Sequence, residues 1–288
     1  MYGELYAVAT ALLRGFSAIP TKKGLRYSNP STSALFSLII NTALQWSIAF
    51  TLYPVGQFFT RGVGYFVLAG IFAPGIARVF RDTGFKRLGV TITYPIVSTN
   101  TFFSIVLAII FLDEEITIYL AAGAILIFIG VNVLAWQGET RVAWKKKDLL
   151  IPVIAALLFA CSTNLRKIGL RRIEHPVIGA AITSTVSLTV VVIFILIDGA
   201  RRDSRVLELP KEAVRFFVVA GIGSSVAFLL YFMALSASNV IKIQPIANTN
   251  PLFAILFSYF FLREEEQITP KVALSSLLIV SGIALIFL

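Results

Sequence analysis

The 288-residue sequence contains one cysteine, Cys161, and one histidine, His175, and only 14% of its residues are charged. A single cysteine excludes an internal disulfide, and a single histidine excludes a His-rich metal centre. No pair of carboxylates lies in the middle of an apolar segment: Glu4, Asp113, Glu114, Glu115, Glu264, Glu265 and Glu266 all sit at segment ends. A catalytic constellation has little to be built from, so the expectation is no enzyme, no cofactor and no metal. Long polar stretches are lacking too. The longest loop, around 198–211, leaves no room for a soluble domain.

What is present is apolar. Hydrophobic residues make up 57% of the chain and the mean hydropathy is +0.86, against roughly 45–50% apolar residues in a soluble domain. Apolar runs recur along the chain, each about long enough to cross a ~30 Å hydrocarbon core. They are read as ten spans near 3–20, 31–53, 62–82, 89–112, 117–137, 149–168, 176–198, 212–235, 239–262 and 269–288. Spans must satisfy their own backbone groups, which selects helices. The first span has no basic leader or cleavage site and is expected to be a retained helix. The net charge of +10 belongs to loops as topology signals, with no aromatic-basic pattern for nucleic acid.

The chain is written twice. "TKKGLR" at 21–26 matches "RKIGLR" at 166–171, a shift of 145. "YPIVSTNTFFSIVLAIIFLDEE" at 94–115 matches "QPIANTNPLFAILFSYFFLREE" at 244–265, a shift of 150, and Gly130 pairs with Gly282. Five spans are an odd number, so a second copy enters the membrane the other way round. The expected fold is an all-α membrane protein of ten transmembrane helices in two inverted five-helix repeats, 1–138 and 149–288, joined by a loop at 139–148. Inverted repeats are an architecture of secondary transporters, with the substrate at the repeat interface.

The endings "FLDEEIT…G…IGV" (111–131) and "FLREEEQIT…SGI" (261–283), with "YFMAL" (231–235) before the Pro-containing ninth span, resemble the EamA-type branch of the drug/metabolite transporter superfamily over essentially the whole chain. The resemblance implies a ten-helix carrier with a central cavity and no cofactor or ATP hydrolysis, and leaves the substrate open. It also marks Glu114 and Glu264 as characteristic, although both suit a turn before a helix, with Thr117 and Thr269 as N-caps and Pro270 at the first helical position.

Pro95 and Pro245 occupy equivalent positions and predict one kinked helix in each half, its fourth span. The freed carbonyls need polar partners, which Ser98, Thr99, Asn100, Asn248, Thr249 and Asn250 supply. The same groups suit either a cavity wall or helix–helix contacts. Tyr94 and Gln244, beside the prolines, and Tyr231 are cavity candidates. Lys242 lies inside the ninth span, where a lysine costs about 2.5–3.5 kcal/mol unless it faces the bundle interior or snorkels. Its surroundings, "SNVIK", also resemble the region of phosphate-translocator and nucleotide-sugar-transporter relatives in which a lysine contacts the substrate phosphate. This chain has Ile243 where the plastid phosphate translocators have a second basic residue. Arg14 sits near the middle of the first span, where the family usually has tryptophan before Gly15, and its repeat partner is Phe159. Arg78 is nearer its span end and reads as snorkelling. The predicted substrate-binding set is Arg14, Tyr94, Asn100, Tyr231, Lys242, Gln244 and Asn248, and two cations without a mid-span carboxylate favour an anionic group.

Gly123 and Gly130, seven residues apart, suit a helix-packing face. Cys161 reads as a small core residue, His175 as solvated, and Lys145, Lys146 and Lys147 as a topology signal. Seventeen of the 25 Lys and Arg fall in loops 1–2, 3–4, 5–6, 7–8 and 9–10, and five, Arg61, Arg166, Lys167, Arg171 and Arg172, on the other face. The positive-inside rule then places both termini outside the cell membrane, whereas relatives commonly have them inside. The leading function is a carrier for a small organic anion or zwitterion (an amino acid, sugar phosphate or similar) working by alternating access, with a coupling ion or counter-substrate and the bilayer as further partners. A lipid-phosphate flippase and a general metabolite or drug exporter are the alternatives.

Overall fold

A backbone in hydrocarbon satisfies its N–H and C=O groups most simply within one helix. The computed structural model, which describes residues 2–54, 62–88, 93, 96–135, 145–202, 207, 210–261 and 270–287, holds helices and no strand among those residues. The first half contains α1 (Tyr2–Gly24), α2 (Pro30–Leu52), α3 (Val63–Gly70), α4 (Ala77–Leu88), α5 (Asn100–Leu112) and α6 (Ile118–Ala135). The second contains α7 (Leu150–Arg172), α8 (Pro176–Arg202), α9 (Lys211–Ala237), α10 (Val240–Ala247), α11 (Asn250–Phe261) and α12 (Pro270–Phe287). A π-helical turn, Ile71–Ile76, joins α3 to α4, and α10–α11 form one broken segment, so the described residues make ten helical passes. Among the described residues, five helices are long and apolar enough to cross a membrane: Pro30–Leu52, Val63–Arg81, Lys147–Arg172, Pro176–Ile197 and Lys211–Ala237. Shorter apolar helices cover Ile96–Leu112, Ile118–Val133 and Leu274–Phe287.

Local chemistry sets the helix ends. Asn29 Oδ1 accepts the Thr32 N–H at 2.9 Å and Pro30 opens α2 with a φ already helical. Thr117 Oγ1 accepts the Leu120 N–H at 3.3 Å at the head of α6. Asp113 takes the left-handed conformation (φ 53°, ψ 38°) and ends α5, turning Glu114 back under the bundle.

The side chains sort inversely to a soluble protein. Phe111, Ile118, Leu196 and Leu277 are 65%, 77%, 67% and 64% exposed, whereas the interior is rich in Ala, Ser and Thr. Lipid solvates large apolar groups as well as a core does, so close contact between small residues holds the helices together. At Gly123 and Gly282 the requirement is explicit. A Cβ on Gly123 would lie 2.6 Å from the Gly282 carbonyl oxygen, and a Cβ on Gly282 would lie 2.6 Å from that of Gly123. One turn pair further, a Cβ on Gly130 would meet the Ser275 carbonyl oxygen at 2.9 Å. As the α6 number rises the α12 number falls, so these two helices pack antiparallel.

The packing pairs exchange between halves. Helix α1 packs on α9, α10 and α11, and α7 packs on α3, α4 and α5. Helix α2 packs on α8 and α9, while α8 packs on α2, α3 and the π-helical turn.

The expectation of one kinked helix per half needs correction. The third pass of the first half is broken as well: inside the π-helical turn Ala73 is extended (φ −151°, ψ 138°) ahead of Pro74. The Pro245 break is present, with Asn248 and Thr249 between α10 and α11 and Pro251 seated in the first turn of α11. Pro95 lies outside the described residues.

Candidate functional site

Each break interrupts the i→i−4 hydrogen-bond ladder, and polar side chains inside the bundle bond to the carbonyls beside it. Thr99 Oγ1 donates to the Ile96 carbonyl at 2.6 Å, and 150 positions later Thr249 Oγ1 donates to the Ile246 carbonyl at 2.7 Å. At the Ala73 break, Ser162 Oγ donates to the Ala69 and Ala73 carbonyls at 2.8 and 3.0 Å, and the Arg166 guanidinium also donates to Ala73. Threonines and serines thus repair the backbone. Asn100 joins them, its Nδ2 donating to the Val97 carbonyl at 2.8 Å, and its Oδ1 is left for the interior with the other amides.

Those amides line a cavity of about 340 Å³ between the halves. Asn100, Tyr231, Gln244 and Asn248 line it together with Arg14, and form one connected network. The Tyr231 hydroxyl donates to Gln244 Oε1 and is 3.2 Å from Thr163 Oγ1. Gln244 Nε2 donates to Asn100 Oδ1 at 2.7 Å, and Asn248 Nδ2 donates to Thr101 Oγ1 at 2.7 Å. Three arginines, Arg14, Arg81 and Arg166, line the same cavity, and no Asp or Glu is among its described lining residues. Arg14 stacks on Tyr231 with its guanidinium carbon 4.9 Å from the ring centroid. Arg166 approaches the Phe228, Phe232 and Tyr231 rings at 5.3, 5.5 and 5.9 Å. It is only 6% exposed, and its Nε has no hydrogen-bond partner.

The structure therefore brings Arg14, Asn100, Tyr231, Gln244 and Asn248 to one place. Lys242 is not among the lining residues. It is half-buried on α10 two positions before Gln244, which turns it about 200° around the helix, so the two side chains cannot share a wall. Tyr94 lies outside the described residues. Two lining cations were missed: Arg81 and Arg166 sit in helices α4 and α7, not in loops as their position in the charge count supposes. Lys167 is likewise helical and 7% exposed. A signal for Arg166 exists in the sequence. Phe159, the repeat partner of Arg14, is followed at helical spacing by Thr163 and Arg166, and all three line the cavity.

At the end of the bundle where α1 begins, the cavity is covered by a polar lattice. The Glu114 carboxylate accepts the Val240 and Ile241 N–H groups, and Arg171 stands 3.9 Å away while donating to the Leu112 carbonyl at 2.9 Å. Lys167 Nζ donates to the Leu235 and Ser238 carbonyls at 2.6 and 2.9 Å. Ser238 Oγ in turn donates to Glu4 at 2.8 Å. Cations therefore meet the C-terminal ends of α5 and α9, and an anion meets the N-terminal end of α10, as the helix dipoles favour. No group of three or more His, Cys, Asp and Glu placed to hold a metal occurs among the described residues.

The sequence profile of the EamA-like transporter family matches residues 1–136 and 146–288. An uncharacterized transporter of Archaeoglobus fulgidus is 23% identical over 285 residues, which cover 99% of this chain and 97% of the relative. A solved crystal structure aligns with a TM-score of 0.81 at 14% identity, covering 98% of this chain and 95% of the other, a likeness of fold.

Proposed function

The chain belongs to the EamA-like transporter family and is an integral membrane transporter; from that premise we propose that it is a secondary carrier for a small organic anion or zwitterion. The observation that carries the anion preference is the lining of the central cavity: three arginines and no described carboxylate around about 340 Å³. That volume is at the small end of the ~300–1,000 Å³ typical of ligand sites, which suits a single amino acid or sugar phosphate. A carboxylate or phosphate between Arg14 and Arg166 would satisfy the Arg166 Nε in a site where charge attraction is little screened. The Tyr231–Gln244–Asn100–Asn248 network would then orient the rest of the molecule.

Alternating access is supported by an asymmetry between equivalent stripes. On α1, Ser17, Thr21 and Lys22 line a second cavity of about 400 Å³ that lies toward the α1–α2 turn. Their partners on α7, Ser162, Arg166 and Lys167, are 0%, 6% and 7% exposed and bonded to backbone carbonyls of other segments, whereas Ser17 and Thr21 bond only within α1 and Lys22 is exposed. One half is open where the other is closed. The exchanging packing pairs and the antiparallel α6–α12 contact support reading 1–138 and 149–288 as inverted repeats. Moving Arg81, Arg166 and Lys167 from loops into helices leaves the basic excess on the α1–α2 loop face, so the carrier is read with both termini outside and this state open to the cytoplasm.

The test is binding. In purified protein screened against amino acids, sugar phosphates and nucleotide sugars, an anionic ligand should raise the apparent melting temperature. Arg14→Gln and Arg166→Gln should each weaken it by about 1–3 kcal/mol, the range for charge-assisted hydrogen bonds. Lys242→Gln is the comparison and should leave binding in place. Normal binding and transport by both arginine variants in proteoliposomes would remove the anion preference.

A further inference from the structure

The second cavity is lined by three cations, Arg14, Lys22 and Arg78, which come from α1 and α4, and by the hydroxyls of Ser17, Ser37 and Ser224. Arg14 lines both this cavity and the central one, so the two meet at its side chain. Arg78 and Arg81, one helical turn apart on α4, divide the same way, with Arg78 in the second cavity and Arg81 in the central one. Cations of α1 and α4 therefore line both cavities, and Arg14, whose guanidinium lies over the Tyr231 ring, is common to the two. We propose that this serine-lined vestibule is a second oxyanion subsite, which takes the carboxylate or phosphate of the transported molecule from solvent and passes it to Arg14. The proposal rests on the anion reading of the central cavity and extends it outward.

The hydroxyls indicate how the step is made shallow. Ser17 Oγ donates to the Leu13 carbonyl at 2.7 Å, Thr21 Oγ1 to Ser17 at 2.8 Å and Ser224 Oγ to Gly221 at 3.0 Å. Their donors are used within their own helices, so the oxygens offer acceptors, which hold water and do not bind an oxyanion directly. Ser37 and Ser224, 3.2 Å apart, link α2 to α9 across the wall. In such a wall the anion would keep part of its hydration while the three cations supply the attraction. It would lose the remaining water only at the aromatic lining beyond Arg14, where Phe159, Phe228 and Tyr231 take over. Splitting desolvation into two smaller steps lowers the barrier to a charged ligand.

Charged thiol reagents read the vestibule without knowledge of the substrate. In a Cys161→Ala background, Ser37→Cys is purified and labelled with anionic sulfonatoethyl methanethiosulfonate and with its cationic trimethylammonium analogue. Both rates are normalised to those of free 2-mercaptoethanol. The expected result is about a tenfold preference for the anionic reagent, within the 10–10³ that a charged cleft produces. Arg78→Gln or Lys22→Gln should cut that preference severalfold, and inorganic phosphate should slow labelling saturably. Ser224→Cys is the second reporter if Ser37→Cys folds poorly. No labelling, equal normalised rates, or a phosphate effect no larger than that of sodium chloride at equal ionic strength would overturn the subsite. If Arg166→Gln abolishes ligand binding while vestibule labelling is unchanged, and Arg78→Gln does the reverse, the two sites are separated. Loss of the central reading therefore does not mimic loss of this one.

Discussion

Glu114, in the turn after α5, accepts the backbone N–H of Val240 and of Ile241 at 3.0 Å each, so a carboxylate of the first half caps a helix of the second. Asn239, the residue in the N-cap position of α10, makes no such bond through its side chain. Both capped residues are fully buried, and water cannot replace the lost acceptor. Glu114→Ala should therefore cost about 2–4 kcal/mol, the sum of two stranded buried donors. Glu114→Gln, which keeps one acceptor oxygen, should cost about half of that. Denaturation of the purified protein with sodium dodecyl sulfate measures the difference, and equal stability of the Ala variant and the parent would contradict the bridging role.

The Gly123–Gly282 contact predicts opposite signs for one substitution at two glycines. Gly123→Ala drives a methyl into a carbonyl at 2.6 Å and should destabilise by about 1–3 kcal/mol, as overpacking does. A Cβ on Gly64, in α3, meets nothing within 4 Å. Gly64→Ala should gain about 0.5–1 kcal/mol from helix propensity. The two are compared in the same unfolding assay, and a neutral Gly123→Ala would mean that α6 and α12 do not approach so closely.

Tyr231 has two separable roles, a ring under Arg14 and a hydroxyl between Thr163 and Gln244. Tyr231→Phe should keep the stacking and weaken binding by about 1 kcal/mol, the worth of a hydrogen bond. Tyr231→Leu should lose the cation–π contact as well, a further 0.5–2 kcal/mol or so. Isothermal titration with whichever anion the screen finds gives both values. If Leu binds as well as Phe, Arg14 is held by something other than the ring.

The orientation is tested at Lys147, exposed beside the first turn of α7. Lys147→Cys in the Cys161→Ala background should react with a membrane-impermeant maleimide in inverted vesicles and not in intact cells. Labelling of intact cells would turn the molecule over and make the vestibule face outward.

The number of passes and the positions of Pro245 and its neighbouring amides were legible in the sequence, because they rest on local properties. Hydropathy reports the length of each segment, and the 150-residue echo of Thr99 in Thr249 reports the same bond to the same carbonyl in each half. Asn100, Gln244 and Asn248 could be picked out because polar groups among apolar ones are costly without a purpose. Arg166 could not. Near a span end its charge reads as a loop signal, and what makes its burial tolerable is a carbonyl 93 residues earlier, freed by a break at Ala73 that no charge pattern announces. The same holds for Glu114, whose partners lie 126 and 127 residues later, and for Lys242, which helical phase turns away from the wall that Gln244 joins. Composition and period thus determined that this chain is a ten-pass bundle with a polar centre. Which cations face that centre was decided only by the fold, since a buried charge is settled by the groups brought beside it and those groups come from other helices.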